Sequence, residues 1–261
     1  MPRLGLALPS RPASWAALVA LAREAEALGL ASLWLPDPPP GDQDALDPLT
    51  ALAGLARATT AIRLGTLALD AGRRPPGVLA KALATVDRLS GGRLTVGLAP
   101  ADATGEAVEQ LAEVVAVLRA AFAGGPVDHT GRFHRLEGLR VEPGPLQRPR
   151  PPLWVVGDGD GVRSLAVAAA DGWHPGTWRP GPLPSGAGDG GLAGACRAAG
   201  RDPATLDVAA GWVATGGRRE LSAAVAAWAA AGVDDLVASP GALPFGETTT
   251  GDLRRMASAI E

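Results

Sequence analysis

In the run "WVVGDGDGVRSLAVAAADGWHP", Trp154 to Pro175, two glycines frame a carboxylate: Gly157, Asp158 and Gly159 stand between an apolar run and a helical pattern. Glycines at a strand-to-helix turn open backbone amides to an anion, and the helix start adds partial positive charge, so the stretch reads as a phosphate cradle. Asp158 argues against that use. An ionised carboxylate repels a phosphate and donates no hydrogen bond, and Asp158 can satisfy the helix start itself as an N-cap. His174 closes the same run, with Trp178 and Arg179 following in "PGTWRPG". Imidazole titrates near neutrality, which makes His174 the best single candidate for proton transfer or substrate contact; a strand-end histidine bonded to a loop is the alternative.

Asp37, in "LPDPPPGDQD", reads either as a pocket acid or as a turn residue capping the amides of loop 38–44. Asp42, Asp44 and Asp47 read as an acidic surface loop with a helix cap rather than a cation site. Arg74 reads as a partner for a phosphate or carboxylate, or as a surface loop residue. No metal set assembles by spacing: His129 and His134 fall on a predicted hairpin at the surface, and His174 lies far along the chain. The lone cysteine, Cys196, permits no intrachain disulfide and is expected to pack on an outer helix.

These residues need a scaffold, and the periodicity supplies one. Candidate strands at 3–9, 31–36, 62–69, 93–99, 152–157, 171–175, 206–214 and 233–239 alternate with helical patterns at 14–28, 47–59, 75–89, 104–123, 161–170, 187–199, 218–231 and 249–260. Eight such units in 261 residues predict a single-domain α/β fold, a (β/α)8 TIM barrel of parallel strands, with an open doubly wound sheet as the alternative. Functional residues are then expected at the C-terminal strand ends, the catalytic mouth of the barrel. The segment 124–152 interrupts the rhythm as a hairpin excursion within the domain. The Gly/Pro-rich stretch 181–191 falls at the mouth, as a lid or as a segment without a role.

Composition sets outer limits. With 47% hydrophobic and 20% charged residues and a net charge of −3, the chain has no basic field to gather nucleic acid. Pro9, Arg11 and Pro12 interrupt the first apolar run, and no stretch approaches the roughly 18 apolar residues of a membrane span. A cytoplasmic location is the expectation.

The phrases "EAEALGLASLWLPD", "DPLTALAGLARATTAIRLGT", "LAKALATVDRLSGGRLTVGLA" and "QRPRPPLWVVG" occur in an order that resembles the bacterial luciferase-like family of flavin- or deazaflavin-dependent oxidoreductases. The resemblance spans nearly the whole chain and is sharpest in "RLSGGRL" and "QRPRPPLWVVG". It implies FMN or the deazaflavin coenzyme F420 at the barrel mouth, a homodimer, and monooxygenase-type chemistry on a small organic substrate. It places Thr66 where the third strand nears the flavin ring and Gly97 in the turn ending the fourth. Gly157, Asp158 and Gly159 fall at the cofactor phosphate. It also shows three departures: Pro38 stands at a position that usually holds His, the loop after Gly97 is shortened, and Asp158 replaces a serine. Together they motivate a second reading, a cofactor-less barrel serving as a binding or partner subunit.

Overall fold

Alternating leucine and small residues in "RLGLA" put Leu4 and Leu6 on one side of a strand and Gly5 and Ala7 on the other, a pattern that suits a barrel wall with helices outside and a narrow interior. The computed structural model describes residues 1–39, 41, 44–179, 191–239 and 248–258. Within them the chain runs β1 (Arg3–Ala7), α1 (Trp15–Ala27), β2 (Ser32–Leu35), α2 (Pro48–Ala58), β3 (Arg63–Asp70), α3 (Pro76–Leu89), β4 (Leu94–Ala99) and α4 (Gly105–Ala123). An antiparallel hairpin follows, β5 (Val127–Thr130) and β6 (Arg135–Leu139). Then come β7 (Leu153–Val156), α5 (Asp160–Ala169), β8 (Gly172–His174), β9 (Trp178–Arg179), α6 (Leu192–Ala198), β10 (Asp207–Val213), α7 (Arg218–Ala230), β11 (Asp235–Ser239) and α8 (Thr250–Ala257).

Eight parallel strands close in the order β1, β2, β3, β4, β7, β8, β10, β11, with β11 returning to β1. This is the expected TIM barrel, and the excursion at 124–152 is the expected hairpin. Local signals work where they were read: Asp47 caps α2 with Pro48 at its first position, and Gly29, at φ +78°, follows α1. The first strand ends two residues earlier than expected. The start of the helix predicted at 187–199, the end of that at 249–260, and Asp42 lie outside the described residues.

The interior is filled by two indoles. Trp34 from β2 and Trp154 from β7 stack with centroids 4.8 Å apart, joined by Ala7, Leu67, Val156, Ala209 and Val237. Neighbouring strands give way to them: a Cβ at Gly65 would lie 2.4 Å from the Trp34 ring, and one at Gly172 would lie 2.4 Å from Trp154 Nε1. The larger apolar core lies between strands and helices.

The phrases that carry the resemblance build the N-terminal end of the barrel. The Arg93 guanidinium donates to the carbonyls of Ala56, Thr59 and Ile62 at 2.9, 3.1 and 2.6 Å, holding the end of α2. Buried Asp87 accepts the N–H groups of Leu146 and Gln147 at 2.6 and 3.0 Å and the Gln147 amide at 2.7 Å. Arg150 pairs with Asp171, which also accepts the Leu153 N–H at 2.8 Å. Those residues latch the Pro-rich lead-in beneath the barrel.

Candidate functional site

At the opposite end, the C-terminal ends of β3, β4, β7 and β8 meet the starts of α4 and α5 around a cavity of about 670 Å³. Its walls are mostly apolar: Leu67 and Ala68 from β3, Ala99 and Pro100 after β4, Val108 on α4, Val156 and Val162 around β7 and α5, and Trp178 on β9. The helix α4 begins at Gly105, so the loop after β4 is as short as expected, and it leaves this side of the cavity to small residues.

Thr66 and Gly97 shape the wall without entering the cavity lining. The Thr66 hydroxyl donates to the Gly97 carbonyl at 2.9 Å and accepts its N–H at 3.0 Å. A Cβ at Gly97 would meet the Thr66 carbonyl at 2.3 Å, so only glycine admits this clasp. Immediately beyond it the β3–β4 register shifts between Thr66 and Leu69, and the intervening Leu67 and Ala68 line the cavity. Sequence reading singled out Thr66 and missed these two neighbours, whose apolar types carry no chemical signal.

His174 does line the cavity, and its state differs from the expectation. The Gly176 N–H donates to Nδ1 at 2.9 Å; a backbone amide only donates, so the ring proton sits on Nε2. That Nε2 is buried and has no hydrogen-bond partner among the described residues. Complete burial pulls the pKa down to about 3, because charging the ring would forfeit its hydration. His174 is therefore a neutral N–H donor at neutral pH rather than a group titrating there. The alternative, a strand-end histidine bonded to a loop, holds for the other nitrogen, since Nδ1 fixes the following turn.

Asp37 lies behind the cavity, its side chain 2% exposed. Its carboxylate takes Arg74 at 2.6 and 3.0 Å and Arg73 at 3.3 Å, and accepts the Asp70 N–H at 3.2 Å. Among the described residues this carboxylate serves the end of β3 and the segment that follows it, while positions 40, 42 and 43 of loop 38–44 lie outside the described residues. Arg74, which also meets Asp47 at 2.9 Å, is largely buried between two carboxylates. Two charges read separately from the sequence satisfy each other across β2 and β3.

The glycine turn follows the same logic. Gly157 (φ +136°) donates its N–H to the His174 carbonyl at 2.8 Å and accepts the Trp173 indole N–H at 2.9 Å. Gly159 (φ +104°) is the N-cap of α5, so Asp158 is not. Asp158 instead accepts the Gly159 N–H at 2.8 Å and pairs with Arg163, which also meets Asp160 at 2.6 Å. Arg163 was overlooked although its place was legible: it follows Asp160 by three residues, one helical turn.

Elsewhere, Trp154 and Trp173 are buried packing residues, and Cys196 is buried on α6, as expected of it. His129 is not a simple surface residue; it is half-buried and its Nε2 lies 3.3 Å from Glu113. Glu113 also gathers the N–H groups of Arg132, Phe133 and His134, tying the hairpin to α4. Stretch 181–191 lies outside the described residues except for Gly191. Among the described residues, no group of three or more His, Cys, Asp or Glu could hold a metal ion, and no helix is long and apolar enough to cross a membrane.

A closed parallel barrel with a cavity at its C-terminal mouth defines a class, and the sequence comparison places the chain within it. The pattern of the luciferase-like monooxygenases matches residues 2–242, and the protein belongs to that family. Monooxygenase RslO1 from Streptomyces bottropensis superposes with a TM-score of 0.81 at 23% identity, covering 100% of this chain and 98% of that one. A coenzyme F420 dependent tetrahydromethanopterin reductase from Methanopyrus kandleri gives 0.81 at 17% identity, covering 98% and 97%. An F420-dependent secondary alcohol dehydrogenase, solved with an F420-acetone adduct, gives 0.81 at 14%, covering 99% and 98%. At these identities the structural likeness is one of fold.

Proposed function

We propose that the protein is an oxidoreductase of the monooxygenase type that acts on a small organic substrate with a reduced flavin or deazaflavin bound at the barrel mouth. The observation that carries this reading is the buried, unpartnered His174 Nε2–H on the wall of a largely apolar cavity. A buried donor without an acceptor is costly, and a ring carbonyl on a flat ligand would satisfy it. Leu67, Ala68, Val156 and Trp178 suit the faces of such a ring system. Structures of the same fold described with an F420-acetone adduct and with FMN add support.

The donor set fits the ring and not a phosphate. Gly159 N–H and Arg163, the groups at the turn that would favour an anion, already serve Asp158 and Asp160. When bound, a reduced flavin or deazaflavin supplies a hydride or activates oxygen, which accounts for a site with no catalytic triad. The chain's own part is then to orient and to exclude water. His174 holds its proton on Nε2 toward the ligand, and the apolar walls keep the reacting face dry. Asp37 acts as a positioning residue, fixing with Arg74 the end of β3 from which Leu67 and Ala68 project. We carry over the homodimer as part of the proposal.

Titration of the protein with FMN, riboflavin and F420, oxidised and reduced, followed by ligand fluorescence and Tm, tests the reading. Micromolar binding of any of them, weakened several-fold by His174→Phe, is expected. Binding of none would overturn it in favour of the partner-subunit reading.

A further inference from the structure

The rim of the cavity carries one sign of charge. Asp102, Asp158 and Asp160 line it, and no lysine or arginine does so among the described residues. The segments outside the described residues contain no lysine, arginine or histidine, so they add no cation either. Arg163 meets two of the three carboxylates at once. Asp102 turns back on Thr104, accepting its N–H at 2.8 Å and its hydroxyl at 2.5 Å. Three negative charges thus line the cavity, and Arg163 beside it is committed to two of them.

The same side chains occupy what an incoming anion would need. The turn offers the Gly159 N–H and, one helical turn on, Arg163; Asp158 holds both. A phosphate entering here must displace Asp158 or lie beside its carboxylate and that of Asp160, whose repulsion salt can screen. A hydroxyl meets neither penalty. Ionised carboxylates only accept hydrogen bonds, so a rim built from them suits a ligand that donates. The buried end shows the opposite preference, since His174 Nε2–H seeks an acceptor.

We propose that the cavity is a charge filter selecting an uncharged flavin whose side chain ends in a hydroxyl, with Asp158 on Arg163 excluding the phosphorylated form. Riboflavin has the matching order of groups, ring carbonyls at one end and hydroxyl donors at the other. The inference rests on the flavin reading of the cavity and narrows it to one class of ligand. It makes Asp158 a specificity residue and Arg163 the latent anion site that Asp158 keeps closed.

Equilibrium titration of the full chain with riboflavin and FMN, by quenching of flavin fluorescence, tests the filter. Riboflavin is expected to bind at least about tenfold more tightly than FMN, and the gap is expected to narrow as NaCl rises from about 20 to about 500 mM. In the double variant Asp158→Ser with Asp160→Asn, Arg163 is released. FMN should then gain about tenfold or more while riboflavin stays within about twofold. If that variant does not fold, the salt series on the unaltered protein still decides. FMN binding as tightly as riboflavin, a gap indifferent to salt, or a double variant without gain for FMN would each overturn the filter and leave the flavin reading in place. So would binding of F420 alone, whose side chain carries a phosphodiester. Binding of no flavin and no deazaflavin would instead overturn the reading beneath it.

Discussion

The two ends of this barrel use polar residues in opposite ways. At the N-terminal end, Asp87, Arg93, Gln147, Arg150 and Asp171 form a closed set in which carboxylates and guanidiniums find partners inside the protein. Arg3 joins them from β1 by pairing with Asp235. At the C-terminal mouth, the His174 Nε2–H has no protein partner and the lining carboxylates face an opening. The difference teaches where to look for chemistry. Saturated networks hold a fold, and a buried donor left unpaired on a cavity wall is open to an acceptor that a ligand supplies.

The contrast can be broken most forcefully at the latched end. Asp87→Ala would take the acceptor from the backbone N–H groups of Leu146 and Gln147 and leave Gln147 Nε2 only the Leu94 carbonyl, and a loss of about 3 kcal/mol in urea unfolding is expected. Flavin affinity measured on the folded fraction should not change. A change in affinity matching the loss of stability would mean that the two ends are one cooperative unit.

Acid titration probes the mouth. The folded pKa of His174, about 3, lies below its unfolded value of about 6.5, so unfolding takes up a proton between these limits. Its contribution is complete above pH 6.5 and is lost as pH falls, at up to about 1.4 kcal/mol per pH unit. In His174→Phe that part of the slope should disappear between about pH 6 and 4 in chemical denaturation curves. An unchanged slope would show that the ring is not buried neutral.

Smaller effects come from between the ends and from the outside. Gly172→Ala forces a methyl group against Trp154, and a destabilisation of about 1–3 kcal/mol with altered tryptophan emission is expected. On the outer surface, Arg132→Ala removes its exposed pairs with Glu106 and Glu109. It should cost less than about 0.5 kcal/mol in the same assay. A larger loss there would show that the hairpin matters to the barrel beyond covering α4.

Much of this architecture was legible along the chain. Strand and helix alternation placed all eight barrel strands, because a two-residue and a 3.6-residue period write different apolar patterns. Single side chains were less legible. Asp37 and Arg74 are 37 positions apart, and nothing local says that one neutralises the other. The resemblance drew attention to Thr66, yet its hydroxyl is spent on Gly97 while apolar Leu67 and Ala68 form the wall. Asp158 was read as a possible helix cap, and the structure gives that place to Gly159. Its carboxylate pairs instead with Arg163, five positions on.

What the sequence determined by itself is the periodic part: eight strands, eight covering helices, a hairpin between the fourth helix and the fifth barrel strand, and the membership that "RLSGGRL" and "QRPRPPLWVVG" announce. Those features rest on local spacing and backbone preference, which act over a few residues. The tertiary structure alone decided which charges cancel, which nitrogen of His174 is left without a partner, and which carboxylates face the cavity. Such outcomes depend on distances across strands far apart in the chain, and on burial, which only the closed barrel creates.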